Sequence, residues 1–380
     1  MFMDSKVSIK EVISDKDLND FVCFPFHLYK NHPYWVGPII NEELETLNKN
    51  KNPVFKNADA NYYLAYQNKK IVGRIAVIIN WIEVNEVNKS KVRFGWFDFI
   101  DNIEVSKKLL EQVVIIGKKN NLKQIEGPVG FSNMDKAGIL TKGFNELNTM
   151  ITLYNFPYYS EHLKKLGYKK LAQWVEYEIK ISSFEDSPEK IRRFSKLILD
   201  RYSLRLLNFK SNKEIIPYVD QMFDLLSKTY DKLQTFVPIQ PYQIDYYKEK
   251  YFKYIHPDFI KCVTDKDDNL VAFLITMPSF SKALKKINGK LFPFGFLRIL
   301  WARRFVKKVS LYLIGVRPDY QNKGVTAIIM NELQKTFNNY GVKVVETNPE
   351  LEENTPIQTL WKNYDHHLHK KRATFTKSVK

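Results

Sequence analysis

A strand, a polar turn and a helix follow one another between residues 310 and 340, and this order constrains the fold more than any other feature. Residues 310–316 ("SLYLIGV") are apolar and β-prone. After the turn "RPDYQNKG", apolar residues recur at helical spacing, at Val325, Ile328, Ile329, Leu333 and Phe337. The first backbone amides of a helix point outward without partners inside the helix, so the turn around Gly324 predicts an anion-binding site.

Strands and helices alternate in both halves of the chain. In the first half, the pattern predicts two strands within 62–80 joined by a turn at 67–70, a strand at 92–99, a helix at 105–118 and a strand at 124–127. A short helix ending at Gly167 and two final strands complete that half.

The second half follows a similar order. It predicts a strand at 203–209, helices at 214–230 and about 243–254, a hairpin turning at 265–269 and the strand, turn and helix described above. A strand at 342–347, a helix in "TPIQTLWKNY" and a last strand in "RATFTKSV" follow. The polar segment 181–191 is interpreted as a linker. We therefore expect an α/β protein with two domains, 1–182 and 183–380, each built on a mixed sheet flanked by helices.

Composition narrows the class of protein. The chain has 380 residues, enough for two cores, and only two cysteines, Cys23 and Cys262, which match no metal or redox spacing. The first residues carry charges and lack the apolar core of a signal peptide, and no apolar run is long enough to span a bilayer. We expect a cytoplasmic protein. The net charge of +17 favours a polyanionic partner, although a lysine-rich surface also serves solubility.

The turn carries a family resemblance. "VRPDYQNKGVT" is similar to the acyl-CoA-binding motif of the GNAT (GCN5-related) N-acyltransferase superfamily, whose core pattern is Gln/Arg-x-x-Gly-x-Gly/Ala. Gln321, Gly324 and Thr326 occupy its three key positions. The resemblance extends over the C-terminal half, and the N-terminal half looks like a second, degenerate copy. It implies a tandem GNAT fold, with acetyl-CoA or a long-chain acyl-CoA as co-substrate and no metal.

The resemblance also implies a cofactor site. Amides from Gln321 to Thr326 would bind the pyrophosphate, Gly324 would let it approach the backbone, and Lys323 would add a cation. Amides from Ile314 to Val316 would hold the thioester carbonyl. The full expected set is Ile314, Val316, Gln321, Asn322, Lys323, Gly324, Val325, Thr326 and Asn354.

GNAT-type transfer resembles direct attack of an amine on the thioester, which needs a base and an acid near the leaving thiolate. Glu346, near the end of the strand after the cofactor helix, is the expected base; an ion-paired or surface role for it stays open. In the family a tyrosine seven residues after an asparagine often serves as the acid. Counting from Asn354 gives Trp361, so Tyr364 is the substitute.

Two further groups of residues, one acidic and one of histidines, lie where a second ligand site could be considered. At the corresponding place in the N-terminal half, "FIDNIEVSKK" puts Asp101 and Glu104 where phosphate would lie and has no glycine. These acids suit a helix start, so we expect one cofactor site per chain. The histidines at 366, 367 and 369 have a basic context, and we expect a solvated turn there rather than a metal site.

A basic and aromatic segment interrupts the C-terminal half. Residues 281–310 contain six lysines and three arginines, no acid, and interleaved Phe, Leu, Ile and Trp. This insertion (281–308) lies between the third and fourth strands of the domain and is typical of an interfacial membrane segment; a helical hairpin packed on the core is the alternative. A long acyl chain and a lipid amine would suit it, as in the bacterial ceramide synthase-like GNAT proteins that the layout more loosely resembles.

The acceptor side is assigned to the N-terminal domain. Ser132, Asn133 and Asp135, in the loop "GPVGFSNMD", are the expected substrate-binding residues. We expect an N-acyltransferase acting on a small-molecule or lipid amine, placed in the cytoplasm or peripherally on the inner face of the membrane. The alternatives are a small-molecule N-acetyltransferase, an aminoacyl-tRNA-dependent ligase, and a non-catalytic regulator that binds coenzyme A or membranes. Plain nucleic-acid binding ranks last because no binding module is recognised.

Overall fold

The computed structural model describes residues 6–230, 236–251 and 255–380, without the side chains of Tyr251 and Pro356. The chain divides into two compact units. Unit 1 comprises residues 1–174, 280–299 and 370–380, and unit 2 comprises residues 175–279 and 300–369. Relative to the expected division at 182/183, residues 281–299 of the insertion and the final residues, 370–380, therefore group with unit 1.

The elements up to residue 180 are β1 (Ser8–Glu11), α1 (Asp15–Leu28), α2 (Ile40–Leu47), β2 (Ala58–Gln67), β3 (Lys70–Asn80), α3 (Trp81–Asn85), β4 (Lys91–Phe99), α4 (Ile103–Lys119), β5 (Gln124–Gly127), β6 (Ile139–Lys142), α5 (Tyr158–Lys165) and β7 (Lys169–Lys180). The remaining elements are α6 (Glu189–Tyr202), β8 (Arg205–Leu207), α7 (Asn212–Tyr230), α8 (Pro241–Tyr251), β9 (Ile260–Thr264), β10 (Leu270–Pro278), α9 (Ser281–Ile287), α10 (Gly295–Arg304), β11 (Lys308–Val316), α11 (Thr326–Tyr340), β12 (Val344–Glu346), β13 (Glu350–Leu351), α12 (Thr355–Trp361) and β14 (His366–Ser378).

Unit 1 is built on strands in the order β1-β2-β3-β4-β5-β14. β2 and β3 form the expected hairpin around the turn at 67–70, and β4 runs parallel to β5. α4 covers one face and buries Leu109 and Val113 against Ile75 and Phe99. The C-terminal part of β14 pairs antiparallel with β5, Phe375 lying opposite Gly127.

Unit 2 is built on strands in the order β7-β12-β11-β10-β9-β8. Neighbouring strands are antiparallel except β11 and β12, which are parallel and are joined through α11. α11 buries Ile328, Ile329, Leu333 and Phe337, as the helical spacing predicts. α6 packs on α11, and Ile198 shares this core.

Two expectations about secondary structure are wrong. The segment after Gly167 holds one strand, β7, rather than two, because residues 169–180 contain no Gly, Pro, Asn or Asp that would break a strand. The histidines at 366, 367 and 369 begin strand β14 and do not form a solvated turn. His369 is buried. The expected hairpin at 265–269 and the strand, turn and helix from residue 308 to 340 are confirmed.

Candidate functional site

The turn between β11 and α11 has a backbone that only glycine tolerates at its centre. Gly324 has φ +77°, and a Cβ at this position would come 2.7 Å from Ile198 Cδ1 on α6. Side chains are strained at such positive φ values and would also collide with α6. The sequence pattern is therefore explained twice, by backbone conformation and by the close approach of a neighbouring helix.

Several backbone amides of this turn have no hydrogen-bond acceptor in the part of the chain that the structure describes. Among the described residues, the N–H groups of Asn322, Gly324, Val325 and Thr326 donate no hydrogen bond, whereas Ala327 and Ile328 already donate to Gly324 and Val325 carbonyls. Val325 is buried in the core and fixes the start of the helix. A run of outward amides at a helix N-terminus binds anions, phosphates above all.

An open pocket of about 500 Å³ borders these amides. It is lined by residues of the turn and of α6, namely Phe194, Leu197, Ile198, Arg201, Tyr202, Asn322, Lys323 and Gly324. The Lys323 ammonium lies 5.3 Å from the ring centroid of Tyr202 and 5.0 Å from that of Tyr320. The pocket thus combines outward amides, two cations and exposed apolar surface, which suits a ligand with phosphates and a planar base.

The α6 half of this pocket was missed from the sequence. Arg201 and Tyr202 lie more than a hundred residues before the turn, and nothing in their spacing points to it. The available signal was in "RRFSKLILDRY", whose helix leaves Phe194 and Leu197 44% and 52% exposed on the pocket side. Exposed large apolar residues on a helix already packed on another face indicate a second contact surface.

β11 and β12 separate just before the turn. Their parallel pairing covers only Lys308–Ser310 against Val344–Glu346, and β11 then continues alone on that side to Val316. The carbonyls of Ile314 and Val316 turn away from β10, because they accept hydrogen bonds from Tyr230 Oη (3.0 Å) and Gln321 Nε2 (3.2 Å). In an extended strand the N–H and C=O of a residue leave from the same edge, so both expected amides face the side that β12 has left.

The expected base, Glu346, lies at the end of β12 where the strands separate. It is buried, and the Lys308 ammonium contacts its carboxylate at 2.9 Å and that of Glu178 at 2.8 Å. Burial opposes the charged form of Lys308, but Glu346 and Glu178 together raise the Lys308 pKa above its ordinary value. The ion-paired alternative for Glu346 is thus observed, and its role as base stays a prediction.

His369 completes a group around this ion pair. Its Nδ1 lies 4.0 Å from Glu346 Oε1, and one ligand atom each from Glu178, Glu346 and His369 fall within 4.8 Å of one another. Such a set has the composition of a metal site. Lys308 already supplies a positive charge to both carboxylates, so the cluster is complete as an ion-pair network.

A second carboxyl, Glu350 on β13, was missed from the sequence. The pKa of Glu350 is raised to about 8: burial raises it most, hydrogen bonds from Trp361 and Thr347 lower it, and nearby Glu176 raises it. Trp361 Nε1 lies 2.9 and 3.1 Å from the two carboxylate oxygens of Glu350. Trp361, the departure from the family pattern, is therefore a buried residue that orients a carboxyl with the basicity of a proton acceptor near neutral pH.

The expected acid, Tyr364, follows α12. Burial raises the pKa of Tyr364 to about 12, so its hydroxyl carries a proton at neutral pH. Its ring packs on the same core as Trp361, and its N–H donates to the Trp361 carbonyl at 2.9 Å. Asn354 is the N-cap residue of α12 and is exposed, with no side-chain capping bond. Both roles stay predictions.

We expect Glu350→Gln to stabilise the protein at alkaline pH. The folded pKa of Glu350 lies above its unfolded value, so wild-type stability falls as pH rises from about 4.5 to about 8. The amide keeps the acceptor for Trp361 but cannot ionise, and the variant should gain about 2 kcal/mol at about pH 9 and almost nothing at about pH 4. Urea unfolding at both pH values measures this. Exposed Glu353→Gln is the control and should show no such difference.

The expected substrate-binding residues lie in unit 1, in a turn held by its own hydrogen bonds. Ser132 N donates to Asp135 Oδ2 at 3.0 Å, and Ser132 Oγ accepts from Met134 N at 3.1 Å. Ser132 is buried, whereas Asn133 and Asp135 are half-buried. The structure thus gives Ser132 and Asp135 a part in shaping the turn, and substrate binding by the three stays a prediction.

The corresponding place in unit 1 is closed. Glu104 lies in the first turn of α4, as expected of a helix-start acid, and Asn102 caps this helix by accepting from Glu104 N at 3.0 Å. Asp101 instead pairs with His162 on α5 at 3.0 Å. Where β4 and β5 separate, the chain after β5 fills the space: Val129 N donates to the Phe94 carbonyl, and a Cβ on Gly95 would meet Val129 O at 2.5 Å. The space after β5 is therefore filled in unit 1, whereas the turn at Gly324 in unit 2 borders an open pocket. The expectation of one cofactor site per chain rests on this difference.

No helix in the described ranges has both the length and the apolar character needed to cross a bilayer.

Comparison with known proteins agrees with the geometry. Residues 219–364 match the family model described as Acetyltransferase (GNAT) family. The chain is 24% identical over 377 residues to Protein YghO of Escherichia coli (98% of this chain, 95% of that one). It is 22% identical over 322 residues to a bacterial ceramide synthase of Caulobacter vibrioides (84% and 82%).

A solved structure matches the fold from end to end. It is described as a tandem GNAT protein from the clavulanic acid biosynthesis pathway, and it superposes with a TM-score of 0.58 over 99% of both chains at 8% identity. An identity this low supports the fold alone. Residues 219–364 therefore form a GNAT-family domain, within a chain that has the fold of the tandem GNAT proteins.

Proposed function

We propose that this protein is an acyl-CoA-dependent N-acyltransferase that moves an acyl group from acyl-CoA to a primary amine. The observation that carries the proposal is the turn at Gly324, where outward amides border a pocket holding Arg201 and Lys323. This arrangement suits the phosphates of coenzyme A at the turn and its adenine against α6. The catalytic site is assigned to the C-terminal domain, 183–380.

The reaction uses groups near the separation of β11 and β12. The amine nitrogen attacks the thioester carbon, the carbonyl oxygen is held by the Ile314 and Val316 amides, and the C–S bond breaks as the C–N bond forms. Glu346 or Glu350 takes the ammonium proton. Of the two, Glu350 has the pKa that suits this task at neutral pH, about 8, and it forms no ion pair with any residue that the structure describes. The Tyr364 hydroxyl protonates the leaving thiolate.

For the acceptor we propose a lipid amine of the sphingoid type, acylated with a long chain. The support is the similarity to the Caulobacter vibrioides ceramide synthase over most of both chains, together with the basic and aromatic insertion. In this proposal the loop with Ser132, Asn133 and Asp135 contributes to acceptor binding, and the protein works in the cytoplasm at the inner face of the membrane.

Calorimetry with free coenzyme A, acetyl-CoA and palmitoyl-CoA tests the cofactor and chain length. We expect all three to bind, palmitoyl-CoA most tightly. Arg201→Ala removes a phosphate partner and should weaken each about tenfold. Arg205→Ala, which removes an exposed arginine paired with Asp268 outside the pocket, is the control and should change nothing.

Measuring turnover with different acyl-CoA donors and amines distinguishes the proposed lipid N-acyltransferase from the alternative functions. Release of free thiol from palmitoyl-CoA with sphinganine, but not with a polar diamine, supports lipid acylation. Turnover with acetyl-CoA and polar amines alone supports a small-molecule acetyltransferase. Binding of coenzyme A without turnover on any amine supports a regulator, and absence of binding would overturn the acyl-CoA assignment and favour the tRNA-dependent ligase.

A further inference from the structure

The two halves of the basic insertion are built differently. α9 packs like an ordinary surface helix, with Ala283, Leu284 and Ile287 buried. Lys285 Nζ donates to the His32 carbonyl at 3.0 Å, and the Gly289 carbonyl accepts from Ile40 N at 3.0 Å. This half therefore anchors the insertion to unit 1.

The second half, residues 290–307, presents apolar side chains to solvent. α10 has no buried residue among those described. The exposed fractions of its large apolar side chains and their neighbours are high: Phe292 69%, Phe294 73%, Leu297 51%, Leu300 53%, Trp301 65% and Phe305 56%. Isolated exposed apolar residues are ordinary, but a contiguous set of this size on a folded protein marks a contact surface.

The charge around these side chains points to the partner. Lys290, Arg298 and Arg304 are exposed, and within the described chain none of them pairs with a carboxylate; the whole stretch 281–310 contains no acid. A protein partner would place acidic side chains here, whereas a lipid surface offers anionic headgroups above an apolar layer. Trp301 and the long arginines have the apolar body and polar tip that suit that boundary.

We propose that residues 290–307 dock on an anionic lipid bilayer, with Phe294, Leu297 and Trp301 entering the acyl boundary and the cations contacting headgroup phosphates. The inference deepens the lipid-acceptor proposal but stands without turnover. Its test measures binding of the full chain to vesicles in the absence of acyl-CoA, so its failure and that of the enzymatic proposal are distinguishable.

The experiment is sedimentation with vesicles of phosphatidylcholine, alone or with about one third phosphatidylglycerol. We expect binding to the anionic vesicles, weakened by added salt. Phe294→Ser/Trp301→Ser should weaken it at least tenfold. The matched control is Ile115→Ser/Ile216→Ser, two apolar residues each 54% exposed on other helices, and it should bind like the wild type.

Two charge-reversal double variants, one in the proposed surface and one outside it, complete the design. Arg298→Glu/Arg304→Glu should also weaken binding at least tenfold, whereas Lys118→Glu/Lys119→Glu makes the same charge change on α4 and should have little effect. Quenching of Trp301 fluorescence by brominated acyl chains, lost in Trp301→Phe, reports insertion.

The proposal fails if Phe294→Ser/Trp301→Ser binds the anionic vesicles as tightly as its control, Ile115→Ser/Ile216→Ser. It also fails if both charge-reversal variants weaken vesicle binding equally, because that result would indicate a general polyanion surface such as one for nucleic acid.

Discussion

Gly324→Glu is expected to abolish binding of coenzyme A and its thioesters, with affinity falling at least a hundredfold. The wild-type backbone at this position has φ +77°, and a Cβ would lie 2.7 Å from Ile198 Cδ1. A side chain must therefore strain the left-handed backbone of the turn and displace the end of the Ile198 side chain, which lines the pocket. The added carboxylate also repels the phosphates that the amides and Lys323 would bind. Calorimetry with coenzyme A measures the loss.

The control separates ligand binding from backbone strain. Gly341 ends α11 with φ +68°, and a Cβ there would meet only Lys307 Nζ, at 3.7 Å. Gly324→Ala and Gly341→Ala should each destabilise the fold by about 1 kcal/mol, because both put a side chain into left-handed backbone. Only the first should weaken coenzyme A binding. Normal affinity in folded Gly324→Glu would remove the turn from the cofactor site.

Lys308→Met is expected to destabilise the protein by about 3 kcal/mol. The methionine preserves the apolar stem but leaves the buried carboxylate of Glu346 and the half-buried carboxylate of Glu178 opposite one another on adjacent strands. Removing one partner from a buried ion network costs far more than the network contributes when intact, because the remaining charges stay desolvated. Urea unfolding at neutral pH measures the difference.

The stabilising effect of Lys308 on the folded protein depends on pH, and the direction of this dependence follows from its pKa. The folded pKa of Lys308 lies above its ordinary 10.5, so its stabilising effect is complete below that pH and is lost as pH rises through the folded pKa. Lys180→Met, which breaks the exposed pair with Asp365, should cost less than about 0.5 kcal/mol. A loss in Lys308→Met no larger than in this control would show that the buried network is not a stability determinant.

Features that depend on the pattern of neighbouring residues along the chain could be predicted from the sequence. The hairpins at 67–70 and 265–269 follow from polar turns between apolar runs, and the helix after Gly324 follows from its apolar spacing. The prediction of two strands after Gly167 is wrong because residues 169–180 contain no strand-breaking residue and form the single strand β7. The start of strand β14 was not predicted because the basic context of its histidines favours a solvated turn.

The site was predictable only where its residues are contiguous. The turn at 321–326 could be found as a motif, but Arg201 and Tyr202 join it through the packing of α6 on α11. Glu350 acquires its raised pKa from burial beside Trp361 and Glu176, and the spacing of these residues in the chain carries no sign of that contact. Lys308, likewise, is one lysine among many until β7, β11 and β12 bring the two carboxylates to it.

The final strand has a consequence for how the protein is made. Ala373 and Phe375 of β14 are fully buried in the core of unit 1, which otherwise draws its strands from the first 180 residues. Domains usually fold in the order in which the ribosome releases them. Here the first unit lacks the strand that pairs with β5 until residues 375–378 have been synthesised, so its sheet stays incomplete throughout translation of unit 2. A fragment ending near residue 182 would expose the edge of β5 permanently, and such an unpaired edge invites aggregation rather than an independent fold.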